Sequence, residues 1–348
     1  MRKPSLHIIK AAITTIGRGL RWLVLTLCLL WSIGLYIYQP ITLLSLIAIP
    51  LVLLVMRCLP TPAGKGYILQ LIARAPKEAY LWSLFLLSVI SYLSLPGPQP
   101  EKWQSPWAHA PQFSLEGDML TIRNLRDFHY RSELDYDPIW RTETYNLSTI
   151  TGADFAECHW DGMEAICHTM MSFSFADGKH LVVSAETRLP EGEAQSALGG
   201  LYKRYGLLYI FGTEADIFGL RTNHRHEDLL LLPMKVKPQG ARAMLMHFVH
   251  LAQAAEKNHT AYNTAANNCS SGVMATFRHL APDMPLWYDL APIHNGSISR
   301  ILFNHGALIT RPGETYDALR KRCYLRYDIS PDAPEQYSSA IRKHIQQL

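Results

Sequence analysis

The segment from His259 to Leu280 reads HTAYNTAANNCSSGVMATFRHL, and it sets one cysteine, Cys269, at the start of a helix. Asn267 and Asn268 are capping residues, Ser270 and Ser271 suit a first turn, and Val273, Met274 and Phe277 recur at helical spacing. Unpaired amides and the positive end of the helix dipole favour thiolate over thiol at such a position, which makes the sulfur a usable nucleophile. The alternative is a buried, inert cysteine that happens to follow a cap. The rest of the chain has to decide between them.

Upstream, the chain of 348 residues is long enough for one large or two ordinary domains, but its N-terminal part reads as membrane. Leu20–Tyr38, Ile41–Met56 and Ala79–Leu95 are nearly continuous apolar runs, each close to the ~17 to 25 residues that cross a bilayer core. Arg2, Lys3, Lys10, Arg18 and Arg21 precede the first run, and Arg57, Lys65, Arg74 and Lys77 lie between the second and third. The turn at Gln39-Pro40 carries no charge, so the positive-inside rule puts the N-terminus inside and everything after about residue 96 outside. No small-residue cleavage pattern follows Tyr38, which disfavours a cleaved signal peptide. The expected division is 1–18 cytoplasmic, 19–95 three transmembrane helices, 96–117 a tether, 118–330 a folded domain and 331–348 a polar tail. In a bacterium with two membranes this is an inner-membrane protein with a periplasmic domain. The formal charge of +4 is concentrated in the topology signals, which argues against nucleic acid as a partner.

In the tether, Leu95-Pro-Gly-Pro-Gln-Pro is stiff, and Trp103 with Trp107 would suit an interfacial aromatic belt. Short β-type runs follow at Met119–Ile122, Thr142–Thr151, Ile166–Phe175 and Leu181–Ala185, with Leu207–Phe211 and Leu229–Leu232 further on. The clearest hairpin is HTMMSFSFADGKHLVVSAETR, turned at Asp177-Gly178, with Met171, Phe173 and Phe175 alternating with Ser172 and Ser174. Folding it back sets His168 roughly opposite Glu186. Gln239–Glu256 is a helix candidate with Met244, Phe248, His250 and Leu251 near one stripe. The fold class is therefore α+β.

A base (His168), an orienting carboxylate (Glu186) and a nucleophile (Cys269) form the general signature of acyl-transfer chemistry; a surface cross-strand pair is the bland reading of the first two. The polar run Arg221–Glu227, with Glu214 and Asp216 before it, would line a pocket, bind an anionic head group, or form a solvated loop. Arg188, Glu214, Arg221, Arg225, Tyr262 and Asn268 are the candidate substrate-binding residues. The spacing of His224, His226 and Glu227 matches no familiar zinc pattern, and neither metal nor cofactor is expected. The sequons at Asn146, Asn258, Asn268 and Asn295 imply little in a chain of bacterial topology. Cys158 and Cys167, on the oxidising side, are expected to close a disulfide across Trp160-Asp161-Gly162, with Cys323 an equally available partner.

The segments NLRDFHYRSELDYDPIWRTETYNL (124–147), CHTMMSFSFADGKHLVVSAETR (167–188), LRTNHRHEDLLLLP (220–233) and TAYNTAANNCSSGV (260–273) occur in that order. Together they resemble the periplasmic domain at the N-terminus of Lnb-type bacterial lipoprotein N-acyltransferases. The resemblance implies a circularly permuted papain-like fold, related to the NlpC and lecithin:retinol acyltransferase groups, in which the histidine strand precedes the cysteine helix. It also implies acyl transfer from a diacylglyceryl lipoprotein to its N-terminal amine through an acyl-thiol intermediate. Three departures stand out: Tyr205-Gly206-Leu207 where the family has Tyr-Glu-Leu, the acidic stretch Thr213-Glu214-Ala215-Asp216, and Ser270-Ser271 in place of two threonines.

The expected function is a membrane-tethered cysteine acyltransferase acting on a membrane lipid or lipoprotein. A cell-wall amidase or endopeptidase using the same trio, and a non-enzymatic envelope binding protein with a structural Cys269, are the alternatives.

Overall fold

The computed structural model describes residues 6–39, 77–160, 162–325 and 336–347. The chain divides into two compact units, Met1–Pro96 and Gly97–Leu348. In the first, helix α1 (Leu6–Tyr38) contains the stretch Thr15–Tyr38, long and apolar enough to cross a membrane. Helix α2 (Lys77–Ser94) holds a shorter apolar stretch, Leu81–Ser94, and the expected span Ile41–Met56 lies outside the described residues. The Trp31 ring meets Phe85 and Tyr92 edge-on, with centroids 5.9 and 5.4 Å away. Ser32 and Ser88 return their hydroxyls to the carbonyls of Cys28 and Leu84, which satisfies them within their own helices.

The second unit is mixed α+β. Its strands are β1 (Gln112–Glu116), β2 (Met119–Arg126), β3 (His129–Tyr130), β4 (Tyr136–Asp137), β5 (Trp140–Asn146), β6 (Ile150–His159), β7 (His168–Phe175), β8 (His180–Arg188), β9 (Gly206–Gly212), β10 (Asp228–Pro233) and β11 (Tyr324–Leu325). Among the described residues nine of them form one sheet in the order β1-β2-β9-β8-β7-β6-β10-β11, with β5 paired to β2. The helices are α3 (Ala197–Leu201), α4 (Glu214–Gly219), α5 (Pro238–Lys257), α6 (Cys269–Leu280), α7 (Ile298–Asn304), α8 (Tyr316–Cys323) and α9 (Tyr337–Gln347).

Helices α5 and α6 bury their apolar stripes on the centre of the sheet. Phe248 of α5 lies against Phe173 and Tyr209, and Phe277 of α6 against Phe155, with ring centroids 6.3 to 6.4 Å apart. Burying side chains of this size contributes roughly 1.5 to 3 kcal/mol each, so these two helices are anchored where the site needs them. His250 is exposed and off the stripe, whose members are Ala241, Met244, Leu245, Phe248, Val249, Ala252 and Ala255.

The central hairpin turns at Asp177-Gly178, with Gly178 at φ +85°, and pairs Ser174 with His180 and Met170 with Ser184. Its serine face is not solvated. Ser172 is buried and donates to Glu214 Oε1 at 2.6 Å, because α4 and α9 cover that face. Arg342 of α9 supplies the counter-charge, reaching both Glu214 oxygens at 2.6 and 2.8 Å and Asp154 Oδ2 at 3.0 Å.

Several expectations are corrected. The run Thr142–Thr151 is two strands, broken where the Asn146 side chain accepts the Ser148 amide and caps a short 3-10 turn. The folded domain starts before 118, since β1 pairs with β2, and extends past 330, since Tyr337 and Ile341 of α9 are buried. Trp103 bridges Pro190, and Trp107 packs against the core, so neither stands free for an interfacial belt. Trp103 also accounts for Gly206: a Cβ there would lie 3.0 Å from the indole, so the ring occupies the space that a glutamate side chain would take. Cys158 and Cys167 are both free. Cys158 sits opposite His168, so strand alternation sends the side chain of residue 167 to the other face of the sheet.

Candidate active site

Helix α6 begins at Cys269 because Asn268 takes an extended backbone and its Oδ1 accepts the amides of Ser270 and Ser271 at 3.0 and 3.1 Å. Cys269 is 7% exposed. The β7–β8 register brings His168 to Glu186, with Nε2 3.2 Å from Oε1 and both side chains about one-sixth exposed, at 15% and 16%. Ser184 stands between them. Its hydroxyl donates to Glu186 Oε1 at 2.6 Å and lies 2.7 Å from His168 Nε2. A hydroxyl has one proton, so Ser184 must accept from His168, which makes Nε2 the protonated nitrogen and leaves Nδ1 for Cys269, whose charge acts on the imidazole.

Charge settles the protonation of this trio. Burial disfavours the imidazolium, but Glu186 and the neighbouring sulfur outweigh it and raise His168 to about 9. Burial likewise opposes the thiolate, and the His168 charge and hydrogen bonds overcome it, lowering Cys269 below the ordinary thiol range. Glu186, despite burial, is held well below the carboxylate range by His168, Arg221 and Ser184. All three shifts favour a thiolate–imidazolium pair over an ionised carboxylate.

Two further residues complete the surroundings. Asn295 is buried and pairs its carboxamide with the backbone of Cys167, accepting the amide at 2.8 Å and donating to the carbonyl at 2.6 Å. The same Nδ2 lies 2.9 Å from Ser270 Oγ and 3.8 Å from Cys269 Sγ. It holds in place the residue before His168 and the residue after Cys269. Nothing in the local sequence marks it out except that it is a polar side chain in the loop Leu286–Ser297; the sequon there is incidental. Tyr262, a predicted substrate-binding residue, is beside the trio: its hydroxyl bonds Thr187, and burial, then Cys269, then Glu186 push its ionisation well up, so it stays a neutral O–H donor. Asn268, also predicted to bind substrate, serves as the helix cap, and its Nδ2 donates to Thr264 O at 2.9 Å.

The remaining predicted substrate-binding residues are committed elsewhere. Arg221 is buried and donates to Glu186 Oε1 at 3.0 Å and Ile217 O at 2.8 Å, so it holds the carboxylate of the trio. Arg188 donates to Trp107 O, Ala108 O and Glu256 and lies 4.5 Å from the centre of the Trp103 ring. Glu214 is occupied by Arg342 and Ser172. Arg225 pairs with Glu133 at 2.9 Å. The polar run from Glu214 is not a solvated loop but α4 followed by a π turn over Leu220–His224, which is what brings Arg221 under the sheet. Cys158, opposite His168, donates to Glu227 Oε2 at 2.9 Å, and burial pushes its thiol well above the ordinary range.

No curated protein and no solved structure matches the chain. The family model of the Lnb N-terminal periplasmic domain does match, over residues 136–303. That span holds His168, Glu186, Cys269 and Asn295, so all four residues lie in the part of the chain that is similar to this family.

Proposed function

We propose that the domain is a cysteine acyltransferase of permuted papain-like architecture. It would be held by three transmembrane helices on the periplasmic side of a bacterial inner membrane, moving an acyl chain from a glycerolipid or lipoprotein diacylglyceryl group to an amine or hydroxyl. The observation that supports it is the Cys269–His168–Ser184–Glu186 chain, which leaves Nδ1 facing the sulfur and Nε2 tied to the carboxylate.

The Cys269 thiolate attacks an ester carbonyl carbon, and the carbonyl electrons move to oxygen. Ser270 and Ser271 give their amides to the Asn268 cap, so the first turn offers fewer donors than an uncapped helix. The Tyr262 O–H takes that part, a role that is typically worth ~2.7 to 4 kcal/mol of barrier. Collapse of the tetrahedral adduct expels the glycerol alkoxide, which takes the proton on His168 Nδ1, and leaves a thioester. The acceptor then attacks the thioester, returns its proton to Nδ1 and releases the thiolate. Glu186, anchored by Arg221, stabilises the imidazolium at both stages.

Intact mass spectrometry of the purified full chain mixed with phospholipid or diacylated lipoprotein is the test. A hydroxylamine-sensitive acyl adduct, absent from Cys269→Ala, is expected. Turnover of muropeptide without any adduct from lipid would replace the proposal with a cell-wall hydrolase.

A further inference from the structure

On the face of the sheet opposite to Cys158, three side chains converge that play no part in the proposed chemistry. Glu157 and His159 lie on β6, and Cys167 immediately precedes β7. All three are buried, and their ligating atoms lie within 4.8 Å of one another. His159 Nε2 is 2.6 Å from Glu157 Oε1, and its Nδ1 lies 3.1 Å from the carbonyl of Met163. A carbonyl only accepts, so Nδ1 carries a proton and Nε2 is the nitrogen turned to the cluster. The second oxygen, Glu157 Oε2, is buried and has no hydrogen-bond partner among the described residues, although Glu157 is only 1% exposed. A buried carboxylate with one orphaned oxygen beside a buried thiol is a costly arrangement as it stands.

We propose that Glu157, His159 and Cys167 form a site for a divalent cation of the zinc class, with a fourth position for water. One imidazole nitrogen, one thiolate and one carboxylate are the ligand types of zinc; magnesium and calcium would call for oxygen alone. The atoms need little movement: zinc ligands stand roughly 3 to 4 Å apart, so the Nε2–Oε1 pair has to open by ~1 Å and any pair near the 4.8 Å limit has to close by about as much. Binding releases the proton shared by that pair and the thiol proton of Cys167, and it gives Oε2 or its partner oxygen a positive neighbour. An entry route is present. His159 and Met163 line a cavity of about 640 Å³ whose wall carries both signs of charge, Glu164, Asp228 and Asp317 with Arg320 and Lys321, so it offers a polar path rather than an attracting field. The ion would tie β6 to the segment before β7, and so would help Asn295 to hold the backbone that carries His168.

Cobalt(II) titration of the full chain in detergent micelles, stripped with chelator, tests this. The Cys269→Ala protein is used so that the nucleophile cannot act as a rival ligand. One equivalent of Co²⁺ is expected to give a thiolate-to-metal charge-transfer band with intense tetrahedral d–d bands, all displaced by Zn²⁺. Cys167→Ser in the same background should lose the charge-transfer band, His159→Ala should weaken binding at least tenfold, and Cys158→Ala should change neither. Should Cys167→Ser fail to fold, X-ray absorption of the zinc-loaded Cys269→Ala protein decides instead, with one sulfur neighbour expected. A spectrum of weak octahedral bands only, a charge-transfer band that survives Cys167→Ser, or a sulfur-free zinc shell would overturn the site.

Discussion

Arg221 Nη2 lies 3.0 Å from Glu186 Oε1, the same oxygen that accepts from Ser184, so a buried guanidinium and the histidine relay share one carboxylate. Removing the guanidinium leaves Glu186 without its permanent counter-charge. Arg221→Met should cost about 3 to 5 kcal/mol, the usual penalty for breaking a buried pair from one side. Glu186→Gln in the same background should recover part of that loss. Chemical denaturation of the two variants checks this, and independent, additive losses would show that the two residues do not act as a pair.

The ion pair at the cysteine gives a pH profile with a predictable sign. Cys269 is lowered and His168 raised to about 9, so the thiolate–imidazolium state sets in below the ordinary thiol range and ends as His168 loses its proton near pH 9. Iodoacetamide should alkylate Cys269 with a midpoint at lower pH than that of an ordinary thiol, whose pKa is ~8.5. Acyl transfer should decline above about pH 9, because the leaving alkoxide then finds no proton on Nδ1. In His168→Ala the alkylation midpoint should move up towards the ordinary thiol value.

Tyr262→Phe separates binding of the oxyanion from activation of the sulfur. The variant should acylate ~100 to 1,000 times more slowly, in line with loss of one oxyanion donor. Its iodoacetamide rate at neutral pH should change little, since His168 still pairs with Cys269. Equal loss in both measurements would place the tyrosine in thiol activation instead.

Asn295→Ala removes both hydrogen bonds to the Cys167 backbone and leaves a buried amide and carbonyl unpaired. A stability loss of about 1 to 3 kcal/mol for each orphaned group is expected. Asn295→Asp keeps the acceptor for the Cys167 amide but sets a carboxylate oxygen near Cys167 O and the thiolate. It should retain more of the fold than Asn295→Ala while raising the pH at which Cys269 becomes reactive. Thermal unfolding and alkylation profiles of the two variants test this.

The parts of the site that could be read from sequence are those set by local rules. Asn268 caps α6 because an asparagine before a helical run does so almost irrespective of context, and the Asp177-Gly178 turn carries the register that joins His168 to Glu186. Arg221, Glu214 and Arg225 were legible as a polar run but not as partners. Their roles depend on a π turn and on Arg342, more than a hundred residues away in the chain. Ser184 and Asn295 lie beyond local reading altogether: a strand serine and a loop asparagine gain meaning only from what the tertiary fold brings opposite them. The alternation along the hairpin likewise does not reveal what covers its serine face, since α4 and α9 come from distant sequence to bury it.

Arg342 also constrains when this domain can exist. Glu214 and Asp154 are in place once the sheet has been synthesised, yet the guanidinium that neutralises both comes from α9, near the end of the chain. Until residue 342 has left the ribosome, two carboxylates lie under the central strands with no cation to share, and closing the core over them is unfavourable. Completion of the domain therefore waits on a residue made more than a hundred positions after the carboxylate it neutralises.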